Sequence, residues 1–195
     1  SGPHRVEFLK AMKKEIEELE AHDTWEVVKR DSIKPNKSGI MPNIILSTWV
    51  FKIERYPDGR LRKFKTRFCV RGDTQVEGVD YFETYAPVAS WNTIRMILIF
   101  MSLQQGWKIK QADFSNTYVQ ATLDKDIYVQ LPVMFNQGGN NSKEYCLKLK
   151  KSLYGQVDVP RYWYLFIKNG FEELGFKQSE EDPGIYFGRG MILIL

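Results

Sequence analysis

The stretch from Thr48 to Arg71 constrains the fold more than any other part of the chain. Thr48-Trp49-Val50-Phe51-Lys52-Ile53 is β-branched and aromatic, and Tyr56-Pro57-Asp58-Gly59 is a turn sequence, so a second strand returns from Arg60. Side chains alternate across a strand, which puts Phe64, Thr66, Phe68 and Val70 on one face. Lys63, Lys65, Arg67 and Arg71 fall on the other face with Cys69. An isolated hairpin is marginal in water, so the apolar face must be covered by a core. The opposite face is left as a row of cations.

That row accounts for the charge of the whole protein. Between Lys52 and Asp73 there are eight basic and three acidic residues, a net of +5, while the 195-residue chain carries only +4. The remainder is therefore slightly acidic, and the positive charge is a local feature. Cations on an outer strand face guard against edge-to-edge aggregation, and the same cations suit a row of phosphates. Charge alone leaves both readings open.

The remaining elements follow from periodicity and breakers. Leu9, Met12, Ile16 and Leu19 form one apolar stripe of a helix over residues 6–20, and residues 31–43 are rich in Pro, Lys, Ser and Gly without periodicity, as in a loop. Ser90 is suited to cap a helix over 91–105 that Gly106 ends; it is apolar on most sides and expected to be central. Strands are expected at 107–113, 127–131 and 145–149, with a short helix or turn at 114–121 and a loop at 136–142. A helix opens near Pro160 and runs to about Gly175, and strands at 184–187 and 191–195 flank Gly188-Arg189-Gly190.

Composition excludes several classes. With 43% hydrophobic and 14% aromatic residues the chain is globular rather than disordered, collagenous or coiled-coil. Its longest apolar run, from Met96 to Leu103, is far too short to span a bilayer, and Ser102 interrupts it. No apolar leader follows Ser1-Gly2-Pro3-His4-Arg5, so an intracellular, reducing setting with buried thiols at Cys69 and Cys146 is expected. The only histidines are His4 and His22, which excludes zinc-finger spacing.

Three features could carry chemistry. Asp113 ends a mostly apolar run and either caps the next segment or presents a metal-binding carboxylate at a strand end. Lys151-Ser152-Leu153-Tyr154-Gly155 and Pro160-Arg161-Tyr162-Trp163-Tyr164 are either ordinary packing or a platform for a base. The cationic strand is the third.

Taken in order, the segments resemble the reverse transcriptase of copia-type long-terminal-repeat retrotransposons. The landmarks are Asp23-Thr24-Trp25, Trp49-Val50-Phe51-Lys52, Asp58-Gly59, Lys65-Thr66-Arg67, Gly78-Val79-Asp80-Tyr81, Glu83-Thr84-Tyr85-Ala86-Pro87-Val88 and Ile94-Arg95. They continue through Gln111-Ala112-Asp113, Ile127-Tyr128-Val129-Gln130, Lys151-Ser152-Leu153-Tyr154-Gly155, Pro160-Arg161 and Gly175-Phe176, so the resemblance covers nearly the whole chain.

The resemblance implies an α+β right-hand polymerase of mixed helices and antiparallel sheet. Fingers would occupy residues 1–106, and a partial palm 107–195 with an inserted segment at about 145–175. Asp113 matches the first catalytic, metal-binding aspartate, with the Phe114 carbonyl as second contact. Lys65, Arg67, Phe114, Tyr118, Tyr154 and Gly155 fall at nucleotide-binding positions, and Lys63, Arg71, Pro160 and Arg161 at nucleic-acid-binding ones. Partners would be an RNA template, a DNA primer and a deoxynucleoside triphosphate, with Mg²⁺ as cofactor, in a cytoplasmic virus-like particle or the nucleus.

Two departures qualify the expectation. The family continues Leu-Tyr-Gly with Leu-Lys-Gln-Ala-Pro-Arg, whereas Gln156-Val157-Asp158-Val159 precedes Pro160 here, so a basic position has become Val157. The family's Tyr-Val-Asp-Asp turn, expected after residues 191–195, is not in the sequence, and Asp113 alone would hold neither of two ions well. The chain by itself is thus expected to be inactive as a polymerase. The alternative expectation is a non-catalytic module that binds nucleic acid or protein, or self-associates through an open palm edge.

Overall fold

The computed structural model of the chain describes residues 2–36, 39–104, 106–114, 121–132 and 141–195. Residues 115–120 of the short helix or turn expected at 114–121, with Tyr118, and residues 136–140 of the expected loop lie outside the described residues. Helix α1 (Arg5–Ala21) forms where the apolar stripe requires it, and Lys13–Glu17 (3.8 Å) and Lys14–Glu18 (3.5 Å) pairs line its polar face. It stops where Asp23 takes a φ of 52° and the Thr24 hydroxyl donates to the Leu19 carbonyl at 2.6 Å. Strand β1 (Trp25–Lys29) follows, a segment that β-branched Val27 and Val28 could have revealed.

Next come β2 (Ile44–Ile45), β3 (Ser47–Arg55), β4 (Leu61–Val70), α2 (Trp91–Leu103), β5 (Thr122–Gln130) and β6 (Tyr145–Lys151). Helix α3 (Val159–Glu173) and the short strands β7 (Lys177–Gln178), β8 (Ile185–Gly188) and β9 (Met191–Ile194) complete the order. Among the described residues these elements make an α+β arrangement with three sheets: β1-β6-β5-β2, the hairpin β3-β4, and β7-β8-β9. The first sheet draws strands from both sides of residue 106. Among the described strands all pairings are antiparallel except β2 with β5, a parallel pair that the expected antiparallel sheet did not include. β2 is only two residues long, and its direction is set by the hairpin it feeds: the Arg71 N–H donates to the Leu46 carbonyl at 2.8 Å, closing the hairpin beside it.

The register of the four-stranded sheet sorts its side chains onto two faces. Trp25, Leu149 and Ile127 align across one row and Val27, Leu147 and Val129 across the next, continued by Ile45 beside Val129. This face meets Leu19 of α1, Phe68 and Val70 of β4, and Leu153 in the main core. The opposite face buries Tyr128 and Cys146 with Ile33. Phe68 is fully buried, its ring 5.8 Å from Trp25 and 5.5 Å from Trp49, as the hairpin's apolar face requires. Both cysteines are free and buried, and burial pushes both thiols above their ordinary range.

Two expectations are overturned. Helix α2 is capped by Ser90, whose hydroxyl accepts from the Thr93 N–H at 3.1 Å, but it is not central. Among the described residues only the Ile94, Ile97 and Met101 stripe packs, against Ile185 and Ile192, and Trp91 and Leu103 are 73% and 72% exposed. Residues 107–113 form no strand: a strand needs a partner for its backbone, and no described segment pairs with them. Elsewhere, Asp182 accepts from the Ser90 and Gly184 N–H groups at 2.9 and 3.1 Å, joining the start of α2 to β8. The Thr93 hydroxyl beside it holds this carboxyl below the usual carboxylate range.

Candidate functional site

The last residues of β4 determine where the site lies. The Val70 N–H on the free edge of the strand donates to the Tyr154 carbonyl at 2.8 Å. Gly155 has a φ of 89°, and a Cβ there would sit 2.1 Å from the Val70 carbonyl oxygen. Only glycine permits both the backbone conformation and this approach. The Tyr154-Gly155 turn is thereby fixed against the cationic strand, and the Arg67 guanidinium stacks over the Tyr154 ring at 4.7 Å.

A cavity of about 160 Å³ opens at this junction. Lys63, Lys65, Arg67 and Tyr154 line one side, and Glu15, Glu18, Leu19 and His22 line the other. It is smaller than the roughly 300–1,000 Å³ typical of pockets that enclose a whole small molecule, and suits a charged group rather than a base and sugar. Glu15 accepts from the Phe68 N–H at 3.4 Å, and burial raises its carboxyl above the usual range against that hydrogen bond. The α1 residues were not apparent as site residues from the sequence, although Glu15, Glu18 and His22 recur at helical spacing.

Other expected site residues lie elsewhere. Arg71 turns to Asp73, with N–O distances of 2.6 and 3.2 Å, and does not line the cavity. Pro160 is exposed in the first turn of α3, and Arg161 pairs with Glu83 at 2.9 Å. Asp113 is exposed, and Phe114 packs edge-on against Trp163 of α3 at 5.1 Å, outside the cavity lining. Between these regions Asp158, almost fully buried, receives the Lys125 ammonium at 2.7 Å and ties β5 to the start of α3. Among the described residues no three His, Cys, Asp or Glu side chains converge as metal ligands.

This arrangement, a cationic strand stacked on a Tyr-Gly turn, accords with the chain's similarity to known proteins. The family described as reverse transcriptase (RNA-dependent DNA polymerase) matches residues 22–195, and the chain belongs to that family. It is 31% identical over 188 residues to the retrovirus-related Pol polyprotein from transposon RE1 of Arabidopsis thaliana, covering 95% of the chain and 12% of that polyprotein. The corresponding polyprotein of transposon TNT 1-94 from Nicotiana tabacum is 30% identical over 189 residues, 97% of the chain and 13% of the relative. The transposon Ty1-H Gag-Pol polyprotein of Saccharomyces cerevisiae is 30% identical over 172 residues, 85% of the chain and 8% of the relative. The chain is thus similar to a copia-type reverse transcriptase segment and spans about an eighth of the plant relatives. No solved structure matches it significantly. No helix among the described residues is long and apolar enough to cross a membrane.

Proposed function

We infer that this chain is the part of a retrotransposon reverse transcriptase that grips the triphosphate of an incoming deoxynucleotide and lies against an RNA template and DNA primer. One observation carries the reading: Arg67 stacks on Tyr154 at the cavity and, although it acts on Glu15 across the space, makes no ion pair within 4 Å among the described residues, so its guanidinium can take an anion. Lys65 lines the same space, and Gly155 lets the turn that carries Tyr154 approach Val70. Binding of dTTP at low ionic strength, followed by NMR titration, tests this. Arg67→Ala is expected to weaken binding by about tenfold to a hundredfold, the worth of a hydrogen bond to a charged group; an unchanged affinity overturns the reading.

The right-hand division belongs to the same proposal, with fingers in residues 1–106 and palm in 107–195, the latter containing the inserted segment at about 145–175. Lys63, Arg71, Pro160 and Arg161 would face nucleic acid, and Asp113 with the Phe114 carbonyl would supply the first metal contact. Reverse transcriptases use divalent metal, and Mg²⁺ is the ion proposed for the intact enzyme. The described residues do not make a two-ion site, because Asp113 is a single exposed carboxylate with no converging ligands. We therefore expect no primer extension by this chain on an RNA template with Mg²⁺, and nucleotide incorporation would disprove that. The two free, buried cysteines fit the proposed intracellular setting, in a cytoplasmic particle or the nucleus.

A second reading, self-association, is favoured by β9. Among the described residues it pairs with β8 along one edge only, and Met191 and Ile194 are 51% and 44% exposed. Sedimentation equilibrium should then show a dimer that Ile194→Lys dissociates, and a monomer at all concentrations would exclude it.

A further inference from the structure

The cations of the triphosphate grip are not equally available. Glu54 of β3 stands opposite Lys63 of β4 and reaches two ammonium groups at once, Oε2 lying 3.6 Å from Lys63 and Oε1 3.8 Å from Lys65. Its side chain is only 20% exposed, against 52% and 37% for the two lysines, so it sits between them. Both separations exceed a good hydrogen bond, and the attraction is that of one charge shared between two.

The other carboxylates near the row make no ion pair with it among the described residues, although Glu15 faces Arg67 and Lys65 across the cavity and feels their charge. Glu15 accepts the edge N–H of Phe68, and Glu18 pairs with Lys14 at 3.5 Å. Arg67, two residues beyond Lys65 on the same face, has no ion-pair partner among the described residues. Within ion-pair distance the row is thus uneven: Lys63 and Lys65 share one carboxylate, and Arg67 has none.

We propose that Glu54 is an intramolecular stand-in for phosphate, which holds Lys63 and Lys65 beside the cavity and is displaced when a triphosphate binds. This rests on the reading of the cavity as a triphosphate site. Three cations at alternate positions of one strand repel one another, and an anion among them keeps two of them in place while the cavity is empty. A triphosphate carries several negative charges and outcompetes a single carboxylate. It then contacts Arg67 first and takes over Lys65 and Lys63 as Glu54 releases them. The affinity measured is what remains after that exchange, so Glu54 sets how tightly, and how selectively for multiply charged anions, the site binds.

The experiment is an NMR titration of the full chain with inorganic tripolyphosphate and, separately, inorganic phosphate at low ionic strength. Glu54→Gln keeps the shape and removes the charge, and it should tighten tripolyphosphate binding about threefold to tenfold, consistent with a partly exposed ion pair. The ratio of tripolyphosphate to phosphate affinity should fall, because phosphate gains more from an empty pair of lysines. Glu173→Gln changes net charge equally at an exposed position at the end of α3 and should alter neither. Glu54→Ala should act in the same direction, which guards against a misfolded glutamine variant. If wild type binds, Arg67→Ala loses binding, and both Glu54 variants are unchanged or weaker, the proposal is overturned while the triphosphate reading stands. If Arg67→Ala binds like wild type, the triphosphate reading itself fails, and this inference with it.

Discussion

The β3–β4 hairpin is supported on its apolar face and along its free edge, whereas residues 106–114 and the outer side of α2 have little of either. Phe68 and Val70 lie in the main core, the Phe68 N–H is capped by Glu15, and the Val70 N–H by the Tyr154 carbonyl. At the far end Phe8 of α1 packs edge-on against Phe51 and Phe64 at 5.2 and 5.1 Å. By contrast Trp107, Ile109 and Phe114 are 48%, 68% and 45% exposed, and Ile99 and Phe100 of α2 are 61% and 57% exposed. Both regions are rich in apolar residues. What separates them is whether the described chain supplies a partner surface and a hydrogen-bonding edge, and a binding geometry is prebuilt only where it does.

The sharpest way to break this contrast is to truncate one apolar side chain in each region. Phe68→Ala removes a fully buried ring from between two tryptophans and should lower the stability by about 3–5 kcal/mol in urea unfolding. Ile99→Ala on the open side of α2 should stay within about 0.5 kcal/mol of wild type. Comparable losses at the two sites would show that the outer face of α2 is packed in solution and would dissolve the distinction.

A smaller effect is expected where the site meets the hairpin. Gly155→Ala forces a non-glycine residue to a φ of 89°, at a cost of about 1–3 kcal/mol, and also brings its Cβ against the Val70 carbonyl. Its unfolding midpoint should fall, and the backbone shift that relieves the contact should pull Tyr154 from beneath Arg67. A stable Gly155→Ala variant with unaltered tripolyphosphate binding would separate the turn from the grip.

Much of the hairpin was legible because its signals are local. The Tyr56-Pro57-Asp58-Gly59 turn and the period-2 alternation indicate the two strands and their faces without reference to anything distant, and the structure follows them through Glu54↔Lys63 and Phe51↔Thr66, with a register shift at Glu54 and Arg55 beside the turn that the sequence did not reveal. The Ser90 cap is equally local. The strand expected at 107–113 depends on a partner, which neighbouring residues cannot specify, and the apolarity of α2 states that it will be covered without stating by what. The same limit hid Glu15 and Glu54. Each looks like an ordinary solvated glutamate until α1 and β3 place it beside residues about 50 and 10 positions away in the chain. Asp113 and Tyr154, both expected at one nucleotide, show the difference directly. Tyr154 is brought to the cavity by the hydrogen bond its carbonyl accepts from Val70 of β4, and Asp113 is not among the lining residues.

The smallest effect concerns the pH dependence of the supported region. Burial raises the Glu15 carboxyl above its ordinary value, Glu18 adds to the rise, and the Phe68 N–H, Arg67 and Lys65 oppose it. The folded state therefore binds more protons than the unfolded chain between the ordinary glutamate value and the raised one. The contribution of Glu15 to stability is then greatest at low pH and is lost as pH rises through that window. Glu15→Gln still offers an oxygen to the Phe68 N–H but cannot ionise. It should match wild type near pH 4 and become more stable than wild type at pH 7, by only a few tenths of a kcal/mol because the site is partly solvated. Urea midpoints of the two proteins at both pH values measure the difference, from which titrations common to both cancel. If the glutamine variant is instead the less stable one at pH 7, then Lys65 and Arg67 stabilise the Glu15 carboxylate by more than burial costs it. The α1 wall of the cavity would then be an electrostatic partner of the cation row, and Glu15 would join Glu54 as a competitor for the triphosphate.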